Sequence, residues 1–204
     1  MLEAQDLTAR RGAATLFTGL AFRVDAGRAL IITGANGTGK TTLLRILAGL
    51  TMPAEGNVRW RGDPVAPFSQ QLREDAVFVG HAPALKDELT AEENLRALVD
   101  LTATHRSAAE VSAALTSVAL DAQRKLPARV LSQGQRRRIG LARLGLSRRP
   151  LWLLDEPATA LDSAGLGLLT QMIAQQLATG GTVIAATHHA LDLPAERVAT
   201  LALS

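Results

Sequence analysis

Ala29-Leu30-Ile31-Ile32-Thr33-Gly34-Ala35-Asn36-Gly37-Thr38-Gly39-Lys40-Thr41-Thr42 is the stretch on which the reading of this chain turns. Its first five residues are apolar or β-branched and read as a buried strand, and glycines follow at once. From Lys40 the apolar positions Leu43, Leu44, Leu47 and Leu50 recur at helical spacing, stopped by Gly49 and Pro53. A strand, a G-x-x-x-x-G-K-T loop from Gly34 to Thr41 and a helix, in that order, make the pattern of a phosphate cradle. Glycines let the backbone curl so that successive N–H groups face phosphate oxygens, and the helix N-terminus adds a favourable interaction of roughly 0.3–2 kcal/mol. Lys40 is expected to reach the β and γ phosphates and to act in catalysis, and the Thr41 hydroxyl to hold Mg²⁺. The expected nucleotide-binding residues are therefore Gly34, Ala35, Asn36, Gly37, Thr38, Gly39, Lys40, Thr41 and Thr42.

A magnesium nucleoside triphosphate also needs a carboxylate near the metal and a group that activates water. Leu151-Trp152-Leu153-Leu154-Asp155-Glu156 offers both at the end of an apolar strand. Asp155 is the expected metal ligand and Glu156 the expected general base, a role worth ~10²–10⁴ in rate. Alone, an acidic pair ending a strand before Pro157 is commonplace; with the cradle upstream it becomes the second half of a site. His188 follows another buried strand, Thr182-Val183-Ile184-Ala185-Ala186, and so is also expected at a strand's carboxyl end, where open α/β sheets bind ligands. His189 beside it is the competing choice.

Short apolar runs alternating with helical patterns read as an α/β fold with a mainly parallel sheet; Val58-Arg59-Trp60 and Ala76-Val77-Phe78-Val79 add strands. From about 84 to 148 the texture changes to helical spacing with little β-branched content. Thr90 with Glu93 and Ser107 with Glu110 form capping boxes there, each predicting a helix start. Leu166, Leu169, Ile173 and Leu177 form one helical stripe, expected to be capped by Ser163 and ended by Gly180-Gly181. The reading is one domain over 1–204, with a core of 1–83 and 149–204 and a helical subdomain of 84–148.

The whole chain has 204 residues, 47% hydrophobic and 20% charged, an ordinary globular composition that excludes disorder as the main state. Lys and Arg number 22 against 19 Asp and Glu, a net charge of +3, too small for a nucleic-acid footprint. Absent cysteine removes disulfides and thiolate metal sites and suits a reducing compartment. Met1 to Arg10 carries Glu3 and Asp6 and no apolar run, so no secretory signal is expected. No segment reaches the roughly 18 apolar residues of a membrane span. Because cysteine is missing, His81, His105, His188 and His189 form no c-type haem attachment motif.

Leu131-Ser132-Gln133-Gly134-Gln135, followed by Arg136-Arg137-Arg138, resembles the signature motif of ATP-binding cassette (ABC) ATPases. Ala160-Leu161-Asp162 is similar to their D-loop and His188 to their switch histidine, so in order the motifs span nearly the whole chain. The resemblance implies an ABC-type P-loop fold: α/β, a mainly parallel sheet with N-terminal antiparallel strands, and an inserted helical subdomain. It implies ATP and Mg²⁺ as ligands and a homodimer closed through ATP. Ser132, Gly134 and Gln135 would then act in trans, on a nucleotide held by the other copy's cradle, with Asp162 in the D-loop. Taken alone, the triple-arginine run reads as a solvated helix face rather than a nucleic-acid patch.

Gly80-His81-Ala82-Pro83-Ala84-Leu85-Lys86, then Leu89-Thr90 and Glu93-Asn94-Leu95, resembles the cytochrome c maturation, or haem exporter, branch of that family. The branch implies a peripheral subunit on the cytoplasmic face of a bacterial inner membrane. It would energise haem export or haem-chaperone release, with a CcmB-like permease and other cytochrome c maturation proteins as partners and no nucleic acid. His81 stands where most ABC ATPases carry the Gln of the Q-loop, which senses Mg²⁺ and the attacking water. ABC ATPases with other transported substrates share the catalytic motifs, so only the 80–95 stretch and local residues favour this branch. Members acting on DNA or ribosomes carry long coiled-coil insertions or two cassettes, for which 204 residues leave no room. The family usually stacks adenine on an N-terminal aromatic residue; here there is no Tyr, Phe17 is the only aromatic before Phe22, and Arg10 or Arg11 could cover the ring instead.

Overall fold

The computed structural model describes residues 1–101 and 106–204; His105 lies outside the described residues. The chain forms two compact units, one of Met1–Phe78, Arg149–Glu156 and Ile173–Ser204, the other of Val79–Arg148 and Pro157–Met172.

The first unit opens with two long strands, β1 (Leu2–Arg11) and β2 (Ala14–Val24), paired antiparallel. Periodicity did not single them out, because their ladder slips register and Asp6 sits at φ +49°, breaking the strict alternation of a strand. Strand β3 (Ala29–Thr33) leads through the glycine loop into helix α1 (Lys40–Leu47). This helix ends earlier than its leucine spacing predicts. Gly49 at φ +65° sends its N–H to Ile46 O, and the Leu50 N–H reaches Arg45 O, a Schellman close that leaves Leu50 outside the helix and 44% exposed. Strands β4 (Glu55–Trp60) and β5 (Asp63–Pro64), the short helix α2 (Gln70–Asp75) and strand β6 (Ala76–Val79) follow.

The second unit carries helices α3 (Ala91–Asp100), α4 (Ala108–Ser117) and α5 (Gln133–Ser147). Both capping boxes are present: Glu93 N donates to Thr90 Oγ1 and Glu110 N to Ser107 Oγ, each at 3.2 Å, while the glutamates accept from the cap N–H groups. Those N–H bonds hold the Glu93 and Glu110 carboxyls below the usual glutamate range. Asn94, 1% exposed, accepts from Lys86 N and donates to Lys86 O, Leu89 O and Thr90 O, fixing the loop before α3.

Strand β7 (Leu151–Asp155), helix α6 (Ser163–Ala178), and strands β8 (Thr182–Ala186) and β9 (Val198–Ala202) complete the chain. Asp162, not Ser163, caps α6: its Oδ1 accepts from Gly165 N at 2.8 Å, and Ser163 is the first helical residue.

The strands form a four-stranded sheet, β2-β1-β4-β5, and a five-stranded one, β6-β7-β8-β3-β9. The first is antiparallel; in the second, β7/β8, β8/β3 and β3/β9 pair parallel. Every residue of β7 and β8 is buried, as a parallel sheet covered on both faces requires. One core joins Leu2 and Leu7 of β1, Ile32 of β3, Leu43, Leu44 and Leu47 of α1, and Leu153 of β7. All seven are fully buried, and each contributes about 1.5–3 kcal/mol by leaving water. That core clamps α1 against β3, so the intervening loop has fixed ends. No helix among the described residues is long and apolar enough to cross a membrane.

Candidate functional site

The cradle is built from glycine geometry. Gly34, Gly37 and Gly39 have φ of +141°, +92° and +102°, which only glycine adopts without strain. A Cβ at Gly34 would lie 2.3 Å from Leu203 O, and one at Gly39 would lie 3.1 Å from both Leu16 Cβ and the Phe17 ring. Lys40 is 7% exposed, and its Nζ donates to Gly34 O at 2.7 Å and Ala35 O at 3.0 Å, so the ammonium lies against the loop itself. Thr38 Oγ1 donates to Ala35 O at 3.1 Å; Ala35 and Asn36 are exposed, and Thr42 is half-buried on the first turn of α1.

Sheet register brings the acidic residues to the same edge. Asp155 pairs with Ala186, and Ala186 with Ile32, so β7, β8 and β3 end level with one another. Asp155, 3% exposed, accepts from Thr41 Oγ1 at 2.9 Å across 114 residues of chain. Glu156 follows at φ +48°, its N–H donating to Ala186 O at 2.8 Å. His188, just past β8, brings Nε2 to 3.4 Å from Glu156 Oε1. His189 instead donates its backbone N–H to Thr187 Oγ1, so His188 is the histidine that meets the carboxylate. The Thr41 hydroxyl and Asp155 carboxylate are hard oxygen donors on one spot and fit a Mg²⁺ ion; the chain around them fits a nucleotide phosphate.

In the second unit Ser132 is the N-cap of α5, accepting from Gln135 N at 3.2 Å while Gln135 Oε1 accepts from Ser132 N at 2.9 Å. This is a third capping box, and the S-x-x-Q spacing carried its signal. Gly134 has no room for a side chain, since a Cβ there would lie 2.7 Å from Ala160 O. Ser132, Gly134, Gln135, Arg138 and Asp162 line one cavity of about 470 Å³, open to solvent at the N-terminus of α5. Arg138 Nη2 reaches Asp162 Oδ1 at 2.6 Å. The Gly165 N–H first, and Arg138 second, hold the Asp162 carboxyl below the usual aspartate range.

The arginine run is not a solvated face. Arg137 is 3% exposed and donates to Gly80 O, His81 O and Pro157 O. Arg136 pairs with Asp87 and Arg138 with Asp162, because each guanidinium finds its acceptor on a distant segment that no local pattern announces. The His81 ring is exposed while its carbonyl is one of the acceptors of Arg137. Phe17 is 9% exposed with its ring edge against Gly39, so its faces are spent in the core. Arg10 and Arg11 lie exposed at the end of β1, with Arg10 3.7 Å from Glu55.

A P-loop cradle, an acidic strand end and a signature-type helix start on one α/β chain define the class, and residues 17–159 match the ABC transporter family. The chain belongs to the ABC transporter family and is one of its ATPases. Its kinship within the family is with the cytochrome c biogenesis ATP-binding export proteins. It is 43% identical to the protein of that description, CcmA, from Nitrosomonas europaea, over all of this chain and 96% of that one. It is 46% identical to the one from Methylococcus capsulatus, over 93% of this chain and 92% of that one. Among solved structures it resembles an ATP-binding cassette described as dimeric, post-hydrolysis and bound to ADP and Pi. That likeness has a TM-score of 0.79 and 25% identity over 93% of this chain and 88% of that one.

Proposed function

We propose that this chain is the ATP-hydrolysing subunit of an ABC-type inner-membrane complex for c-type cytochrome biogenesis, driving haem export or haem-chaperone release. The observation that carries the mechanism is the level ending of β3, β7 and β8, with Thr41, Asp155, Glu156 and His188 at one sheet edge. Residues 34–42 bind the triphosphate through backbone N–H groups, and Lys40 leaves the loop carbonyls to neutralise charge on the β and γ phosphates. Thr41 and Asp155 would hold Mg²⁺, which would supply positive charge to offset that of the phosphate oxygens. Glu156 takes the proton of the water whose oxygen attacks the γ phosphorus as the bond to the β-phosphate oxygen breaks, leaving ADP and phosphate. His188 holds the Glu156 carboxylate in place and shares its charge.

The signature works in trans. Ser132, Gly134 and Gln135 present the N-terminus of α5, with its free N–H groups and positive dipole end, to the γ-phosphate held by the other copy. Asp162 and Arg138 border the same cavity, and His81 takes the Q-loop place. A homodimer thus closes on ATP and reopens after hydrolysis. Work passes to a CcmB-like permease, with this subunit peripheral on the cytoplasmic face of the bacterial inner membrane; the kinship with the CcmA proteins supports this branch.

The test mixes two inactive variants, Lys40→Ala and Ser132→Arg. A mixed dimer retains one composite site with both parts intact, so ATPase activity is expected to reappear on mixing. No recovery overturns the shared site. Recovery of a polytopic membrane partner from detergent-solubilised membranes tests the assembly, and recovery of ribosomes or DNA instead overturns it.

A further inference from the structure

Arg137 is the most buried charge on the signature helix, 3% exposed, and three backbone carbonyls are among its acceptors. Nε donates to Pro157 O at 3.1 Å, and Nη1 donates to Gly80 O and His81 O at 2.9 Å each. These partners stand 20, 57 and 56 residues away along the chain. A guanidinium stays charged when buried, and burial is tolerated only where acceptors replace its water. A rigid planar fork holds its five donors in fixed, divergent directions and so bridges carbonyls on separate segments, a geometry that the single nitrogen of an ammonium or an amide does not reproduce.

The Pro157 contact bears on the chemistry. Pro157 follows Glu156, whose φ of +48° is the left-handed region that non-glycine residues rarely adopt, and a residue before proline is restricted further. Such a conformation persists only where its surroundings over-determine it. Here the turn is pinned on both sides: the Glu156 N–H is bonded to Ala186 O, and the Pro157 carbonyl is bonded to Arg137.

We propose that Arg137 is a positioning residue for ATP hydrolysis. By holding Pro157 O it sets the turn that aims the Glu156 carboxylate, and the same guanidinium fixes the backbone at Gly80 and His81. The inference rests on the reading of Glu156 as the general base. None of the acceptors named lies in residues 34–42, so the effect belongs on turnover rather than on nucleotide affinity.

The experiment uses the full chain with Mg²⁺ and ATP and compares Arg137→Lys, Arg137→Gln and Arg137→Met with Glu156→Gln and with Arg136→Gln. A small misplacement of a catalytic group costs up to about 100-fold, so kcat is expected to fall roughly 10- to 100-fold in the Arg137 variants with KM for ATP within about threefold. Lys is expected to restore less than about a tenth of kcat, because one ammonium cannot replace the fork. Adding Arg137→Gln to Glu156→Gln is expected to lower the residual turnover less than about twofold, since both changes remove one function. Arg136→Gln, which loses only Asp87 and Ala128 O, is expected to stay within about twofold of the parent. The inference is overturned if the Arg137 variants keep kcat while Glu156→Gln loses it, if KM rises with the fall in kcat, if the double variant multiplies the losses, or if all three Arg137 variants are unfolded by circular dichroism. Retained turnover in Glu156→Gln overturns the general-base reading itself.

Discussion

His188 Nε2 stands 3.4 Å from Glu156 Oε1 because β7 and β8 end in register, which brings the first residue past β7 and the second past β8 to the same place. In the proposed mechanism this histidine steadies a carboxylate that accepts a proton from water. Glu156→Gln is therefore expected to cut phosphate release by ~10²–10⁴ while equilibrium titration with ATP shows binding intact. His188→Ala removes the imidazole that stands beside this carboxylate and is expected to slow turnover by roughly 10- to 100-fold, read by the same assay.

The cradle glycines are not equivalent. Gly37→Ala meets nothing within 4 Å and bears only the left-handed backbone, a cost of about 1–2 kcal/mol. Gly34→Ala adds a carbon 2.3 Å from the carbonyl of Leu203, backbone that cannot swing aside. Chemical denaturation is expected to rank Gly34→Ala as the more destabilised and the weaker ATP binder; equal effects would count against this packing.

At the signature, Gly134→Ala places a carbon 2.7 Å from Ala160 O and forces the start of α5 to shift. Overpacking of that kind costs about 1–3 kcal/mol. ATPase activity, read by phosphate release, is expected to drop, since the shifted α5 start no longer meets the γ-phosphate held by the other copy. A variant with parental turnover would show that the α5 start need not be held there.

Acid should loosen the start of α6. The N–H of Gly165 and then Arg138 depress the Asp162 carboxyl, so the native state favours its ionised form and this contribution is complete above the ordinary aspartate value of about 3.9. It is lost as pH falls through the lower native value. Amide exchange at Gly165 is expected to quicken in that acid window in the parent and to be nearly flat there in Asp162→Asn.

Base discrimination is expected to be weak, because the Phe17 ring is buried against Gly39 and so is not free for stacking worth ~1–3 kcal/mol. Direct titration should find ATP and GTP affinities within about tenfold. A much stronger preference for ATP would reveal a base-recognising contact that Arg10 and Arg11 do not provide.

Much of this was legible in the chain because its signals are local. The cradle needs neighbours in sequence: glycines for the curl, a lysine at the helix start, a threonine beside it. Capping boxes are likewise legible at a spacing of three, as Thr90–Glu93 and Ser107–Glu110 proved, and Ser132–Gln135 carried the same mark. The helix stripe around Leu169 and Ile173 is legible too, but residue type alone puts its cap at Ser163, one residue past the true one. Asp162 and Ser163 are both good caps by type, and only the direction of the Asp162 side chain toward Gly165 N chose between them.

What the sequence by itself determined is the set of chemical parts and their local conformation, since these follow from short-range sterics and hydrogen bonding. The tertiary structure alone decided which parts meet: Thr41 with Asp155, His188 rather than His189 with Glu156, and Arg137 with Gly80, His81 and Pro157. Those pairings depend on strand register and on burial, and the partner that keeps a charge inside the protein stands far along the chain, where no periodicity or spacing marks it.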